Sequence, residues 1–205
     1  LQRPEPGGTV HRDIPYQSRL FNRQALDIYM PTDGGDAPER GYAAVVFVHG
    51  GSWMHGTKED IRVVDRFLSK MRNEGWAVIS IDYVTSPLRL LARPSANVAR
   101  AFEWIHEHAA DYGIDPWNMG IYSVSAGSHL TMEAMIESGD PGSLWRFWLN
   151  EIGPVDLVAM ADGEAFEASG TLAKFPTRYL KKHSPLLQVA GPFPPTAIAH
   201  GDADD

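Results

Sequence analysis

Apolar residues along this chain alternate between two periods. Ala43-Ala44-Val45-Val46-Phe47-Val48 is an unbroken apolar run bounded by glycines. Such a run predicts a strand buried on both faces. Trp76 to Tyr83 predicts a second buried strand and Met119 to Ser123 a third. Between the first two, Ile61, Val64, Leu68 and Met71 recur at helical spacing and Gly75 closes the segment. Thr57-Lys58-Glu59-Asp60 announces that helix with a capping-box pattern. Between the second and third strands, Val98, Ala101, Phe102, Ile105 and Ala109 form the apolar face of another helix. Ser95 is its expected cap, and Gly113 and Pro116 its expected end. A third helix is predicted from Ala126 to about Glu137, with further strands near Trp148–Ile152 and Thr196–His200. Upstream, Leu20 to Met30 alternates loosely and stops at Pro31, which suits an early hairpin strand. Asp33-Gly34-Gly35-Asp36 reads as a turn or loop.

Strands alternating with helices predict the α/β class, with a mostly parallel sheet flanked by helices. Sites in such sheets lie beyond the carboxyl ends of the strands. Candidate chemistry is therefore sought just after each strand.

Composition narrows the setting. The chain has 205 residues, a formal net charge of -8 and no cysteine. This length suits one domain over residues 1–205. The acidic balance argues against nucleic acid or an anionic membrane as partner. No apolar stretch approaches the roughly 18 residues of a membrane span, and no signal-peptide pattern opens the chain. Disulfides and thiolate metal sites are excluded. Cytoplasmic and secreted settings both stay open.

After the third strand stands Ser123-Val124-Ser125-Ala126-Gly127, close to G-x-S-x-G with serine at the first small position. The motif needs small residues on either side because the turn from strand to helix is so tight. Ser125 is the candidate nucleophile; the competing reading is an ordinary loop ending in a helix cap. After the first strand stands His49-Gly50-Gly51-Ser52-Trp53. Two glycines there let backbone N–H groups face a cavity, as an oxyanion requires. Gly50 and Gly51, with Ala126, are the candidate donors, while His49 reads as structural. The competing reading is a glycine turn with a packed His49 and Trp53. After the last strand stands His200-Gly201-Asp202-Ala203-Asp204-Asp205. Any of its three carboxylates could orient an imidazole; the competing reading is an acidic chain end.

These motifs, in this order, resemble the α/β-hydrolase superfamily. Within it they are similar to the esterase group of hormone-sensitive-lipase-like, acetyl- and feruloyl-esterase and arylformamidase enzymes. The matching text is "VVFVHGGSW", "VISIDY", "WIHEHAADYGIDPWNMGIYSVSAGSHL", "IGPVDL", "SPL" and "AIAHGDADD", from about residue 20 onward. The resemblance implies that Ser125 is the nucleophile and that Gly50, Gly51 and Ala126 form the oxyanion hole. It selects Asp204 as the acid, four places after the histidine of the H-G-x-x-D segment. The family order is Ser…Asp…His, and nothing follows Asp205. The expectation is a C-terminally incomplete α/β-hydrolase domain, lacking the last strand–helix segment and the catalytic histidine. The implied function is carboxylic-ester hydrolysis through an acyl-enzyme, on a small or short-acyl ester such as an acetylated or feruloylated sugar. No cofactor or metal is implied. Arylformamidase-type amide hydrolysis uses the same machinery. The missing histidine favours a non-catalytic binding protein of the same fold, but the intact Ser125 and glycine loop count against it, and an incomplete piece of an active enzyme is the preferred alternative.

The other histidines carry less. His129 sits four residues after Ser125 on a helix beneath the sheet, so it reads as an interior residue rather than a base. His106 and His108 lie about 200° apart on their helix and cannot share a metal; they read as a solvated face. His11, His55 and His183 have no motif around them. Asp82-Tyr83 reads as structural. The apolar residues of 157–181, including Leu157, Met160, Phe166, Leu172 and Tyr179, could form a cap or acyl pocket, or an ordinary connecting helix.

Overall fold

The three buried runs lie side by side at the centre of one sheet. The computed structural model describes residues 8–17, 24–32, 37–85, 91–139, 141–162, 172 and 174–201. Its strands are β1 (Val10–Pro15), β2 (Ala25–Tyr29), β3 (Tyr42–Val48), β4 (Ala77–Ile81), β5 (Ile114–Val124), β6 (Trp148–Glu151) and β7 (Thr196–Ala199). They are ordered β1-β2-β4-β3-β5-β6-β7. β2 pairs antiparallel with β1 and β4, and the pairings from β4 to β7 are parallel. Parallel neighbours need crossover connections. The helices α1 (Asp65–Asn73), α2 (Ala92–His108) and α3 (Ala126–Ser138) connect β3 to β4, β4 across β3 to β5, and β5 to β6.

Burial on two faces explains the unbroken apolar runs. Val45 and Phe47 join one cluster with Ile61, Leu68 and Val78. Ala44, Val46 and Val48 join the opposite cluster with Val98, Ala101, Phe102 and Leu130. A strand covered on both sides has no position left for a solvated side chain.

Local chemistry moves several boundaries. Thr57 does cap its segment: its hydroxyl accepts from the Glu59 N–H at 3.3 Å and its own N–H donates to Asp60 at 3.1 Å. The segment it opens is a 3₁₀ stretch, Lys58–Val64, and α1 begins only after it. Ser95 is not the cap of α2. The helix starts at Ala92, and the Ser95 N–H already bonds the Leu91 carbonyl at 3.0 Å. Pro94 fits this first turn because its missing N–H would have no intrahelical partner there. Pro116 does not end a helix either; it lies in β5, where the register with β3 shifts between Ile114 and Met119. Such an irregularity tolerates a residue that cannot donate to the ladder. The early hairpin exists, with β1 as the partner of β2. Leu20 and the 33–36 turn lie outside the described residues.

β1 carries a bulge between His11 and Ile14 that turns Asp13 to φ 54°. The bulge points the Asp13 N–H at Asp27, 2.8 Å away. Lys58 completes a cluster of charges, with its ammonium 3.0 Å from Asp13, 3.0 Å from Asp27 and 2.9 Å from Glu59. Lys58 and Asp27 are buried. Burial draws the Lys58 ammonium down, but hydrogen bonds to Glu59, Asp27 and Asp13 outweigh it and hold the group above the ordinary lysine range. Its backbone N–H also donates to Asp82 at 2.7 Å. Among the described residues, no helix is long and apolar enough to cross a membrane.

Removing one partner of a buried pair leaves an uncompensated charge. Lys58→Met is therefore expected to cost about 3 kcal/mol of stability. Urea unfolding measures it, and an unchanged midpoint would contradict the role given to this cluster.

Candidate active site

Val124 ends β5 and Ala126 begins α3, so Ser125 alone makes the turn, at φ 51° and ψ −121°. A non-glycine residue held there stores on the order of 1 kcal/mol or more of strain. Backbone bonds fix it. The Ser125 N–H donates to the Glu151 carbonyl at 2.8 Å, and the Ser125 carbonyl accepts from Ser128 and His129 at 2.9 and 3.2 Å. The next small residue is required by contact. A Cβ on Gly127 would stand 2.3 Å from the His49 carbonyl oxygen and 2.4 Å from that of Val48. A Cβ on Gly50 would lie 3.3 Å from the Ser125 Cβ. The loop after β3 and the serine turn after β5 are thus in direct contact.

Serine at the first small position has its own explanation. Ser123 is buried, and its hydroxyl accepts from the Trp148 indole at 2.7 Å and faces the Ser128 hydroxyl at 3.0 Å. A buried hydroxyl costs free energy only when left unbonded. Ser123 is accommodated by Trp148 on the neighbouring strand.

The His49–His55 loop presents unpaired donors. Among the described residues, the N–H groups of Gly50, Gly51 and Ala126 have no hydrogen-bond acceptor. Gly51, Ser52 and Trp53 run through three successive positive φ values of 116°, 51° and 64°. The Gly51 carbonyl closes the turn by accepting from Met54 and His55, both at 3.0 Å. Tyr83 braces the start of the loop. Its hydroxyl lies 2.9 Å from the His49 carbonyl and 3.2 Å from that of Gly50. Its ring stacks on His49 at 4.2 Å between centroids. Burial, then the Asp60 and Asp82 carboxylates, keep this phenol protonated well above its ordinary range. His49 and the Asp82-Tyr83 pair therefore play the structural parts expected of them.

Trp53 is the loop's buried anchor, and its indole donates to His129 Nδ1 at 3.2 Å. His129 Nε2 bonds the His183 carbonyl at 2.7 Å. An indole only donates and a carbonyl only accepts, so His129 is the neutral tautomer with its proton on Nε2. Burial holds its imidazole below the ordinary value, against the opposing pull of Glu133. The Glu133 carboxylate oxygen 3.9 Å from Nδ1 is then no ion pair, since that nitrogen carries no proton. With both ring nitrogens committed, His129 cannot take a proton from Ser125. Among the described residues, the Ser125 hydroxyl is hydrogen-bonded to no imidazole.

The solvated-face reading holds for His108, whose side chain is 41% exposed, but needs correction for His106. His106 packs edge-on against Trp145 at 4.7 Å, and burial lowers its pKa. His108 packs on Trp104 at 4.5 Å and meets Asp111 at 3.0 Å. Of the 157–181 residues, Leu157, Leu172 and Leu180 are buried in the main core, with Met160, Phe175 and Tyr179 packed against it. Phe166 lies outside the described residues, as do Asp202, Asp204 and Asp205. Residues that pattern reading missed are Trp148, Glu133 and His183. His183 Nδ1 bonds Glu133 at 2.6 Å. Trp148 carried a signal, because a large indole opposite a serine in a glycine slot invites a hydrogen bond. Glu133 carried one too, four residues after His129 on the same helix face.

Several known proteins are similar to this chain. The BD-FAE family pattern matches residues 26–205. Esterase LipC of Mycobacterium tuberculosis (strain ATCC 25618 / H37Rv) is 25% identical over 98% of this chain and 54% of its own length. Esterase LipQ of the same organism is 35% identical over 63% of this chain and 30% of its own length. The chain thus spans about half of the first relative and under a third of the second. A solved truncated form of a carbohydrate esterase from gut microbiota superimposes with a TM-score of 0.79 at 25% identity, covering 99% of this chain and 80% of the other. With a family match over most of its residues and this sheet order, the chain belongs to the BD-FAE family and has the α/β-hydrolase fold.

Proposed function

We propose that the chain is the nucleophile- and oxyanion-bearing part of a serine carboxylic-ester hydrolase. The observation that carries this is the strained Ser125 turn in contact with a glycine loop whose Gly50 and Gly51 N–H groups have no acceptor among the described residues. In this reading Ser125 Oγ attacks the ester carbonyl and the alcohol leaves. Gly50, Gly51 and Ala126 N–H groups stabilise the oxyanion, where removal of a single donor commonly costs about 10²–10³ in rate. Water then attacks the acyl-enzyme and releases the acid. Asp204 orients and charge-stabilises the histidine of the Ser…Asp…His order, which is a residue other than His129. Neither step calls for a metal or cofactor. Similarity to proteins named esterases supports the ester as substrate, and similarity to a carbohydrate esterase favours an ester of a sugar.

Two measurements test this reading. The chain, and the chain continued with any downstream residues of its gene, are assayed on a short-chain nitrophenyl ester and labelled with a fluorophosphonate. Labelling and turnover are expected with a base in place; the 205 residues alone should be slower by about 10³ or more. Ser125→Ala should abolish both signals, and labelling that survives it would refute the assignment. Gly50→Ala forces a Cβ between the Val124 carbonyl and Ser125. It is expected to lower kcat by about 10²-fold with KM little changed. An equal rise in KM instead would place Gly50 in substrate binding.

A further inference from the structure

Beneath the site runs a buried polar chain that ester cleavage itself does not use. The Trp53 indole donates to His129, His129 donates to the His183 carbonyl, and the His183 ring donates to Glu133. Each link has one possible direction, because indole N–H groups cannot accept and carbonyls and carboxylates cannot donate. His129 and Glu133 both stand on α3, the helix that begins at Ser125, and all members but the loop's own Trp53 lie within α3 or at His183. Trp53 and His129 also meet edge to face, 5.4 Å apart at 85°.

We propose that His129 is a positioning residue for the oxyanion donors, locking the 49–55 loop to the serine helix through Trp53. The loop needs such a lock. Gly51, Ser52 and Trp53 all hold positive φ, two of them without glycine's freedom, so local preference alone does not keep this turn. Tyr83 fixes its start at His49 and Gly50. Trp53, 1% exposed, fixes the far side. Oxyanion donors act only when held close to their final geometry before the charge develops. The bare Nδ1 of neutral His129 is the acceptor that holds Trp53, and the His183 carbonyl holds His129 in that tautomer. His129 thus acts through the loop and touches no substrate.

The kinetic consequence rests on the ester-hydrolase reading; the positional claim does not. His129→Leu removes both bonds, Trp53→Phe removes only the donor, and His129→Asn keeps an acceptor near the Nδ1 position. In the active form, His129→Leu is expected to lower kcat about 30-fold and Trp53→Phe about 10-fold, with KM within about 3-fold. His129→Asn should recover most of the loss, and combining Trp53→Phe with His129→Leu should not multiply the effects. Amide hydrogen exchange on the 205-residue chain is the second readout. The amides of Met54 and His55, which bond the Gly51 carbonyl across the loop, should exchange at least about 10-fold faster in His129→Leu and Trp53→Phe, while those of 98–105 in α2 keep their rates. Unchanged loop exchange overturns the proposal whether or not any form hydrolyses esters. Altered exchange with unchanged kcat in an active form also overturns it. An absence of hydrolysis in every form counts against the ester-hydrolase reading alone, and exchange still decides the role of His129.

Discussion

Contact between two stretches of backbone governs the carboxyl end of this sheet. The first turn of α3 lies directly on the carbonyls of Val48, which ends β3, and of His49 after it, with room for a hydrogen but not for a methyl group at Gly127. That approach brings the loop after one strand against the serine turn after the next, because β3 and β5 are parallel neighbours whose ends coincide. No side chain can substitute for it. The surrounding features stem from this proximity: Gly50 is small because Ser125 is beside it, and Ser125 is strained because strand and helix join within a single residue. The buried supports from Tyr83, Trp53 and Glu151 hold that strained junction together.

Much of this is legible from residue order. The two-faced strands announce themselves because burial on both sides leaves no polar position to interrupt the run. Ser125 and the His49-Gly50-Gly51 loop are legible because tight turns admit few residue types. The acid is less so: three carboxylates stand together after His200, and Asp204 is selected by resemblance and lies outside the described residues. The same chemistry that makes small residues conspicuous makes Ser123 look like a weakness in the motif. The structure gives it a partner in Trp148, a strand away and 25 residues on in sequence.

Pattern cannot reach side chains whose meaning depends on a distant neighbour. His129 looks like an interior histidine, and it is one, but its tautomer is set by an indole and a carbonyl far along the chain. His183 has no motif around it because its partner Glu133 lies 50 positions away. Ser95 misleads for the opposite reason. Its capping propensity is real, yet the helix begins earlier, at Ala92, with Pro94 in its first turn. His106 shows the same limit, since Trp145, which covers it, comes from another element.

The charge cluster at Lys58 reaches past the edge of the family pattern. The family pattern starts at residue 26, which leaves β1 outside it. Asp13 of β1 nevertheless shares the Lys58 ammonium with Asp27. Lys58 opens the segment directly after the oxyanion loop, so the hairpin's first strand is electrostatically joined to the loop that faces Ser125. Excision at the family boundary would keep every motif residue and still remove a counter-charge from the loop's far end. The contacts that hold the loop's far end thus reach residues that the family pattern does not include.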